Sequence, residues 1–241
     1  MRTIRITGTG SALPGRIVTN KELEQMVETS DEWIRERTGI AERHVSVGET
    51  VVTLASEAAR KALEQAGKRA EEIDLILVAT CSPEQYLPCC ACQVQADIGA
   101  VNALAFDVNA ACSGFLFALN TADAYLRTGL AENALVIGSE VLSKLVDWTD
   151  RGSCILFGDG AGAVVVERCK AESRAVEEKQ IPAAGILGRA LHSDGTGGGV
   201  LQCDARELTT PYARTSAVKT DQNQPMDDRE HFIQMDGQEV Y

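Results

Sequence analysis

Asp74-Leu75-Ile76-Leu77-Val78-Ala79-Thr80 is an unbroken apolar run with a polar residue at each end, and its reading decides the fold. A strand that is apolar at every position, not at every second one, is a strand buried on both faces. Ahead of it, Val52, Leu54, Ala55, Ala58, Ala59, Ala62, Leu63 and Ala66 recur at helical spacing, which predicts a helix over Val51–Ala66 stopped by Gly67. Behind it, the pattern predicts a helix over Pro88–Ile98, a strand over Leu104–Val108, a helix over Ser113–Arg127 ended by Gly129, and a strand over Ala134–Ile137. Strand and helix alternate, so the expected class is α/β with layers around a largely parallel central sheet.

Nearer the start, residues 3–9 read as a strand running into Gly8-Thr9-Gly10. Thr19 or Asn20 can cap a helix over Lys21–Glu28. Ser30-Asp31-Glu32-Trp33 opens a second short helix, its acidic residues at the positive end of the helix dipole, and Gly39 closes it. Past Phe157, Gly158-Asp159-Gly160-Ala161-Gly162-Ala163 has the spacing of a dinucleotide-binding turn. That reading fails because the glycines lead into the β-branched run Val164–Val166 and not into a helix; close backbone approach beside a site fits them better. Residues 168–183 are expected to be a linker or surface helix, Gly185–His192 a strand with a turn at Ser193-Asp194-Gly195, and Lys219–Glu230 a surface loop.

The chain has 241 residues, 44% of them hydrophobic, enough for one large domain or two packed halves. A net charge of −12 excludes a protein that holds nucleic acid by neutralising phosphates. Any anionic ligand must therefore meet a local cluster of Arg or Lys. No window approaches the ~18 apolar residues of a membrane span, and the opening lacks a signal-peptide core, so no membrane role and a cytoplasmic location are expected. In a reducing compartment the eight cysteines read mainly as small buried hydrophobes. Cys89, Cys90 and Cys92 lack a second cluster at ligand spacing, so packing is expected there and no metal.

Cys112 stands between the end of a strand and the start of a helix. Unpaired backbone N–H groups and the helix dipole favour an anion at such a junction, which suits a thiolate nucleophile and the oxyanion formed when it attacks a thioester. Taken alone, Trp33 would be a packing residue, Arg37 and Arg151 solvated charges, Phe157 core and Asp159 a turn residue.

DVNAACSGFLFAL at Asp107–Leu119, SDEWIRERTGIAERH at Ser30–His44, TDRGSCILFGDGAGAVV at Thr149–Val165, LHSDG at Leu191–Gly195 and MDGQEVY at Met235–Tyr241 together resemble the 3-oxoacyl-acyl carrier protein synthase III family of thiolase-like condensing enzymes. The resemblance runs in register over the whole chain. It implies a layered αβαβα fold, with residues 1–170 as the first half carrying the nucleophile and 171–241 as the connection and an incomplete second half. It also implies an acyltransferase that initiates fatty acid synthesis, joining an acyl-CoA primer to malonyl-acyl carrier protein through an acyl-cysteine; a relative acting in secondary metabolism is the alternative.

By the same resemblance, Cys112 is the acylated nucleophile, and Trp33 and Arg151 sandwich the adenine of CoA. Arg37 and Thr38 line the CoA entrance, and Phe157 lines the acyl pocket. Leu87 reaches across a homodimer interface into the partner's pocket. No cofactor is implied. The family's histidine and asparagine, which polarise the malonyl thioester, match none of His44, His192 and His231. They fall beyond Tyr241, so the resemblance implies a fragment inactive in condensation by itself.

Overall fold

In the computed structural model, which describes residues 2–170, 173–176, 179–182, 185–204 and 232–240, the elements run β1 (Arg2–Ala12), β2 (Arg16–Thr19), α1 (Asn20–Leu23), α2 (Asp31–Thr38), β3 (Glu42–Val45), α3 (Val51–Ala66), β4 (Leu75–Ala79), α4 (Cys90–Ile98), β5 (Leu104–Val108), α5 (Gly114–Thr128), β6 (Asn133–Val141), α6 (Arg151–Cys154), β7 (Asp159–Lys170), β8 (Ser173–Val176), β9 (Lys179–Pro182), β10 (Leu201–Gln202), β11 (Gln234–Met235) and α7 (Gly237–Val240). Two units interleave along the chain. The first comprises Met1–Val18, Arg43–Ser143 and Gly158–Leu191; the second comprises Thr19–Glu42, Lys144–Phe157 and His192–Tyr241.

The first unit is built on a five-stranded sheet in the order β1-β7-β6-β4-β5. Every residue of β4 is buried, as its continuous apolar sequence requires. The strand divides its side chains by twos: Ile76 and Val78 pack with α3 and α4, whereas Leu75, Leu77 and Ala79 pack with Ala118, Ala122 and Leu126 of α5. Each fully buried Leu or Ile contributes on the order of 1.5–3 kcal/mol. The helix α3 has the predicted bounds, with Thr50 as N-cap and Gly67 in the left-handed conformation at φ 64°. It lies so close to β1 that a Cβ on Gly8 or Gly10 would collide with the carbonyl of Ala62 or Ala58. On the α5 side, Ile4, Ala134, Val136 and Val166 are buried in the same cluster as Leu75 and Leu77, and an apolar hollow of about 430 Å³ is lined by Phe115, Gly138 and Gly162.

Several expectations need correction. The sheet is mixed and not largely parallel: β4 runs parallel to β5 and β6, but β7 runs antiparallel to both β6 and β1. The segment after β6 brings the chain back to the end of the sheet it left, so β7 starts with Asp159 opposite Val141, the last residue of β6, and must run antiparallel to it. Its glycines lie within the strand, which agrees with rejecting the dinucleotide turn. The strand β5 has its predicted bounds and lies at the sheet edge, with Leu104 53% exposed. The helix α1 covers only Asn20–Leu23. Residues 168–183 hold the end of β7 and the antiparallel hairpin β8–β9 in place of a linker or helix. Gly185–His192 forms no strand, and Gly195–Gly197 is a single 3-10 turn capped by Asp194. The Lys219–Glu230 segment lies outside the described residues. Among the described residues no helix is long and apolar enough to cross a membrane, and no group of three or more His, Cys, Asp or Glu is placed to hold a metal.

Candidate active site

Cys112 occupies a 3-10 turn, Ala111–Ser113, that joins β5 to α5. Its thiol is free and exposed. Ala111, directly before it, has φ 43°, a left-handed conformation that costs a side-chain-bearing residue on the order of 1–3 kcal/mol. Such strain persists where surrounding structure fixes it, and here both neighbours are fixed. The Thr80 N–H donates to Val108 O (3.2 Å), tying the ends of β4 and β5 together. Gly114 begins α5 so close to β4 that an added Cβ would lie 3.1 Å from the Ala79 Cβ. The thiol thus stands at the C-terminal ends of parallel strands, beside the N-terminal turn of α5, where ligands bind in α/β sheets.

Sequence reasoning missed two neighbours of this position. Glu140, near the C-terminal end of β6, accepts hydrogen bonds from Thr80 Oγ1 (3.1 Å), the Cys81 N–H (2.8 Å) and the Ser82 hydroxyl. Burial, together with the charge of Glu140 and a hydrogen bond to it, pushes the Cys81 thiol up to about 12; the Cys112 charge adds to the effect. The available signal was positional, since both residues follow or end a central parallel strand. Asp159 is likewise more than a turn residue. It is buried and accepts from the N–H groups of Ser46 (2.6 Å) and Ser143 (2.9 Å) and from the Ser143 hydroxyl (2.6 Å).

The second unit brings together Trp33, Arg37, Thr38 and Arg151. Ser30 accepts from the Trp33 N–H (3.1 Å) and starts α2, and Gly39 at φ 73° ends it, so Trp33 and Arg37 share one face at a spacing of four. Asp31 is held below the usual carboxylate range by hydrogen bonds from Asn20 and Arg35, which anchors the helix start. The Thr38 hydroxyl donates to Ile34 O (2.7 Å) and accepts from the Ile40 N–H (3.1 Å), so it is engaged with the helix end. Arg151 starts α6 behind the Asp150 cap and donates to Glu28 O (3.2 Å). The guanidinium carbons of Arg151 and Arg37 stand 5.0 and 5.2 Å from the Trp33 ring centroid. These residues border a pocket of about 1150 Å³ that Gln234 and Asp236 also line.

Phe157 follows the pocket residues Ile155 and Leu156 and is half-buried. Leu87 lies in the first unit, 85% exposed, between β4 and α4. His44 points Nδ1 at Pro14 O (2.7 Å), and His192 is exposed; His231 is outside the described residues.

The family model described as 3-Oxoacyl-[acyl-carrier-protein (ACP)] synthase III matches residues 106–195. Over 241 residues the chain is 46% identical to the beta-ketoacyl-[acyl-carrier-protein] synthase III of Clostridium acetobutylicum, covering 100% of this chain and 67% of that one. Over 206 residues it is 53% identical to the enzyme of the same name from Novosphingobium aromaticivorans, covering 85% of this chain and 62% of the relative. The crystal structure of 3-oxoacyl-[acyl-carrier-protein] synthase III from Aquifex aeolicus superposes with a TM-score of 0.81 at 41% identity, over 98% of this chain and 66% of that one. The chain therefore spans about two thirds of the length of these relatives. Likeness at this level, in sequence along the whole chain and in fold, means that the chain belongs to the 3-oxoacyl-[acyl-carrier-protein] synthase III family.

Proposed function

We propose that this chain carries the acyl-accepting part of a β-ketoacyl-acyl carrier protein synthase that starts fatty acid synthesis. The observation that carries the reading is the pair of guanidinium groups over Trp33 at the rim of a large pocket, in a chain of net charge −12. An indole and a planar guanidinium both stack on a purine, and the two cations suit the phosphates of CoA. The Cys112 sulfur attacks the thioester carbonyl carbon; the carbon–sulfur bond to CoA breaks, and the CoA thiolate leaves and takes up the cysteine proton. Decarboxylation of a malonyl thioester on the carrier protein then supplies the carbanion that displaces the cysteine. This chemistry needs no cofactor, because the thioester brings the leaving group and carbon dioxide loss brings the carbanion. Residues 1–170 form the first thiolase-like half and 171–241 the connection and start of the second. A cytoplasmic setting follows from the two substrates.

Admitting a purine between Trp33 and Arg151 requires the guanidinium to move outward, since two stacked layers need about 7 Å. Trp33→Ala and Arg151→Ala are each expected to weaken CoA binding by about tenfold or more in isothermal titration, the equivalent of one lost base stack. Unchanged affinity in both variants would remove this pocket as the CoA site.

The dimer belongs to the same reading. The edge strand β5 and the exposed Tyr86 and Leu87 are unpartnered apolar or backbone groups suited to a second copy. Sedimentation equilibrium should find a dimer, and Leu87→Asp should weaken it by roughly tenfold or more. A wild-type chain that sediments only as a monomer contradicts the dimer and leaves the CoA site untouched.

A further inference from the structure

The stretch Cys89-Cys90-Ala91-Cys92, which the condensing chemistry does not use, begins α4 in a specific way. Cys89 is the N-cap, with extended backbone at φ −65° and ψ 156°, and Cys90 is the first helical residue. The Gln93 N–H donates to Cys89 O (3.2 Å), which closes the first turn and puts Cys92 at its third position. Side chains at the N-cap and third helical positions meet, the relation that a capping box uses. Here both are thiols, close enough for Cys89 to raise the pKa of Cys92. Cys90 points away into the core and is 1% exposed, whereas Cys89 and Cys92 are partly accessible.

We infer that Cys89 and Cys92 form a redox-active dithiol that exchanges with low-molecular-weight disulfides and closes into an intramolecular disulfide. The two-residue spacing at a helix start suits the bond, because closing the roughly 5–6 Å between Cβ atoms three apart to the separation of about 3.5–4.5 Å in a disulfide needs only a small shift of the N-cap residue. The inference does not rest on the condensing reaction.

The roles of the two sulfurs follow from their surroundings. The Cys92 thiol is pushed up, most by its interaction with Cys89, then by burial, the Cys89 charge and the Asp107 charge. Asp107 is fixed there because it accepts from the N–H groups of Cys90 (2.8 Å) and Ala91 (2.7 Å). The Cys92 sulfur also faces Ala105 O of β5 at 3.6 Å. Because Cys92 is turned inward against β5 and Cys89 stands at the helix tip, Cys89 is the attacking thiol and Cys92 the resolving one. The Cys89 thiolate attacks one sulfur of the small disulfide; that S–S bond breaks and the first small thiolate leaves. Cys92 gives its proton to that thiolate and attacks the Cys89 sulfur, the second small thiolate leaves, and it takes the proton that Cys89 had lost. The dithiol loses two electrons and two protons, and the small disulfide becomes two thiols.

The test incubates the whole chain in glutathione buffers of increasing oxidised fraction, quenches it with iodoacetamide and counts alkylated thiols by intact mass after unfolding. The expected result is the joint loss of the Cys89 and Cys92 thiols, two of the eight, in a single transition with no glutathione adduct on either of them, reversed by dithiothreitol. Cys89→Ser and Cys92→Ser should each abolish that loss, Cys92→Ser leaving Cys89 as a glutathione adduct, and Cys112→Ser should not change it. Serine is a favoured N-cap, so Cys89→Ser keeps the helix start. A wild-type chain that retains all its thiols, or a paired loss that survives both Cys89→Ser and Cys92→Ser, overturns the inference. A loss that disappears in Cys81→Ala would assign the pair to Cys81 and Cys112 instead.

Discussion

Cys112→Ser is expected to abolish acyl transfer from a short acyl-CoA to this protein, by on the order of 10³-fold or more. A serine hydroxyl at the same turn lacks the acidity and the polarisable anion that make a thiolate reactive at neutral pH. The rest of the site offers no substitute. Cys81 lies close enough to feel the Cys112 charge, but burial and Glu140 push its thiol up to about 12. A thiol raised that far keeps its proton at every pH below that value, so at pH 7–8 almost none of it is nucleophilic. Intact-mass spectrometry after exposure to acetyl-CoA should show one acetyl adduct on the wild-type chain and none on the variant. An adduct of equal yield on Cys112→Ser would place the nucleophile elsewhere, and Cys81→Ala in the same experiment should leave the wild-type adduct in place.

Gly10→Val should be strongly destabilising to the first unit. Any Cβ at position 10 meets the Ala58 carbonyl and the Ala62 nitrogen of α3, backbone atoms that cannot rotate away. Relief requires the whole helix to lift from β1, which strips contacts from a core that includes Ala58, Ala59, Ala62 and Leu63, all at 6% exposure or less. A loss of about 3–5 kcal/mol is expected, and the melting temperature should fall by roughly 10 °C or more for a chain of this size. Gly162→Ala is the control. It has open space at its Cβ position and should change stability by less than about 1 kcal/mol. If thermal denaturation shows equal melting temperatures for the two variants, close helix–strand contact is not what the glycine at position 10 provides.

Much of the local structure was readable because its causes lie within a few residues. The helical spacing of apolar residues over Val51–Ala66 gives α3 its bounds, Thr50 caps one end and Gly67 the other. Ser30 and Gly39 do the same for α2. The continuous apolar run of β4 predicted burial on both faces and found it. Patterns failed where a polar sequence forms strands by pairing with itself, as β8 does with β9. They failed also at Gly185–His192, where an apolar sequence found no strand partner.

The candidate site divides along the same line. Sequence alone placed Cys112 at a strand-to-helix junction and singled out Trp33, Arg37 and Arg151 through the family resemblance. It could not show that Ala111 turns left-handed before the thiol, or that Glu140 gathers Thr80, Cys81 and Ser82 beside it. Nor could it show that the Arg151 guanidinium stands over the Trp33 ring. Helix ends, caps and burial periodicity are set by neighbours in the chain, whose energies a sequence displays directly. Strand direction, the approach of α3 to β1 and the company each ionisable side chain keeps are set by pairings between distant segments, which exist only after the sheet has formed.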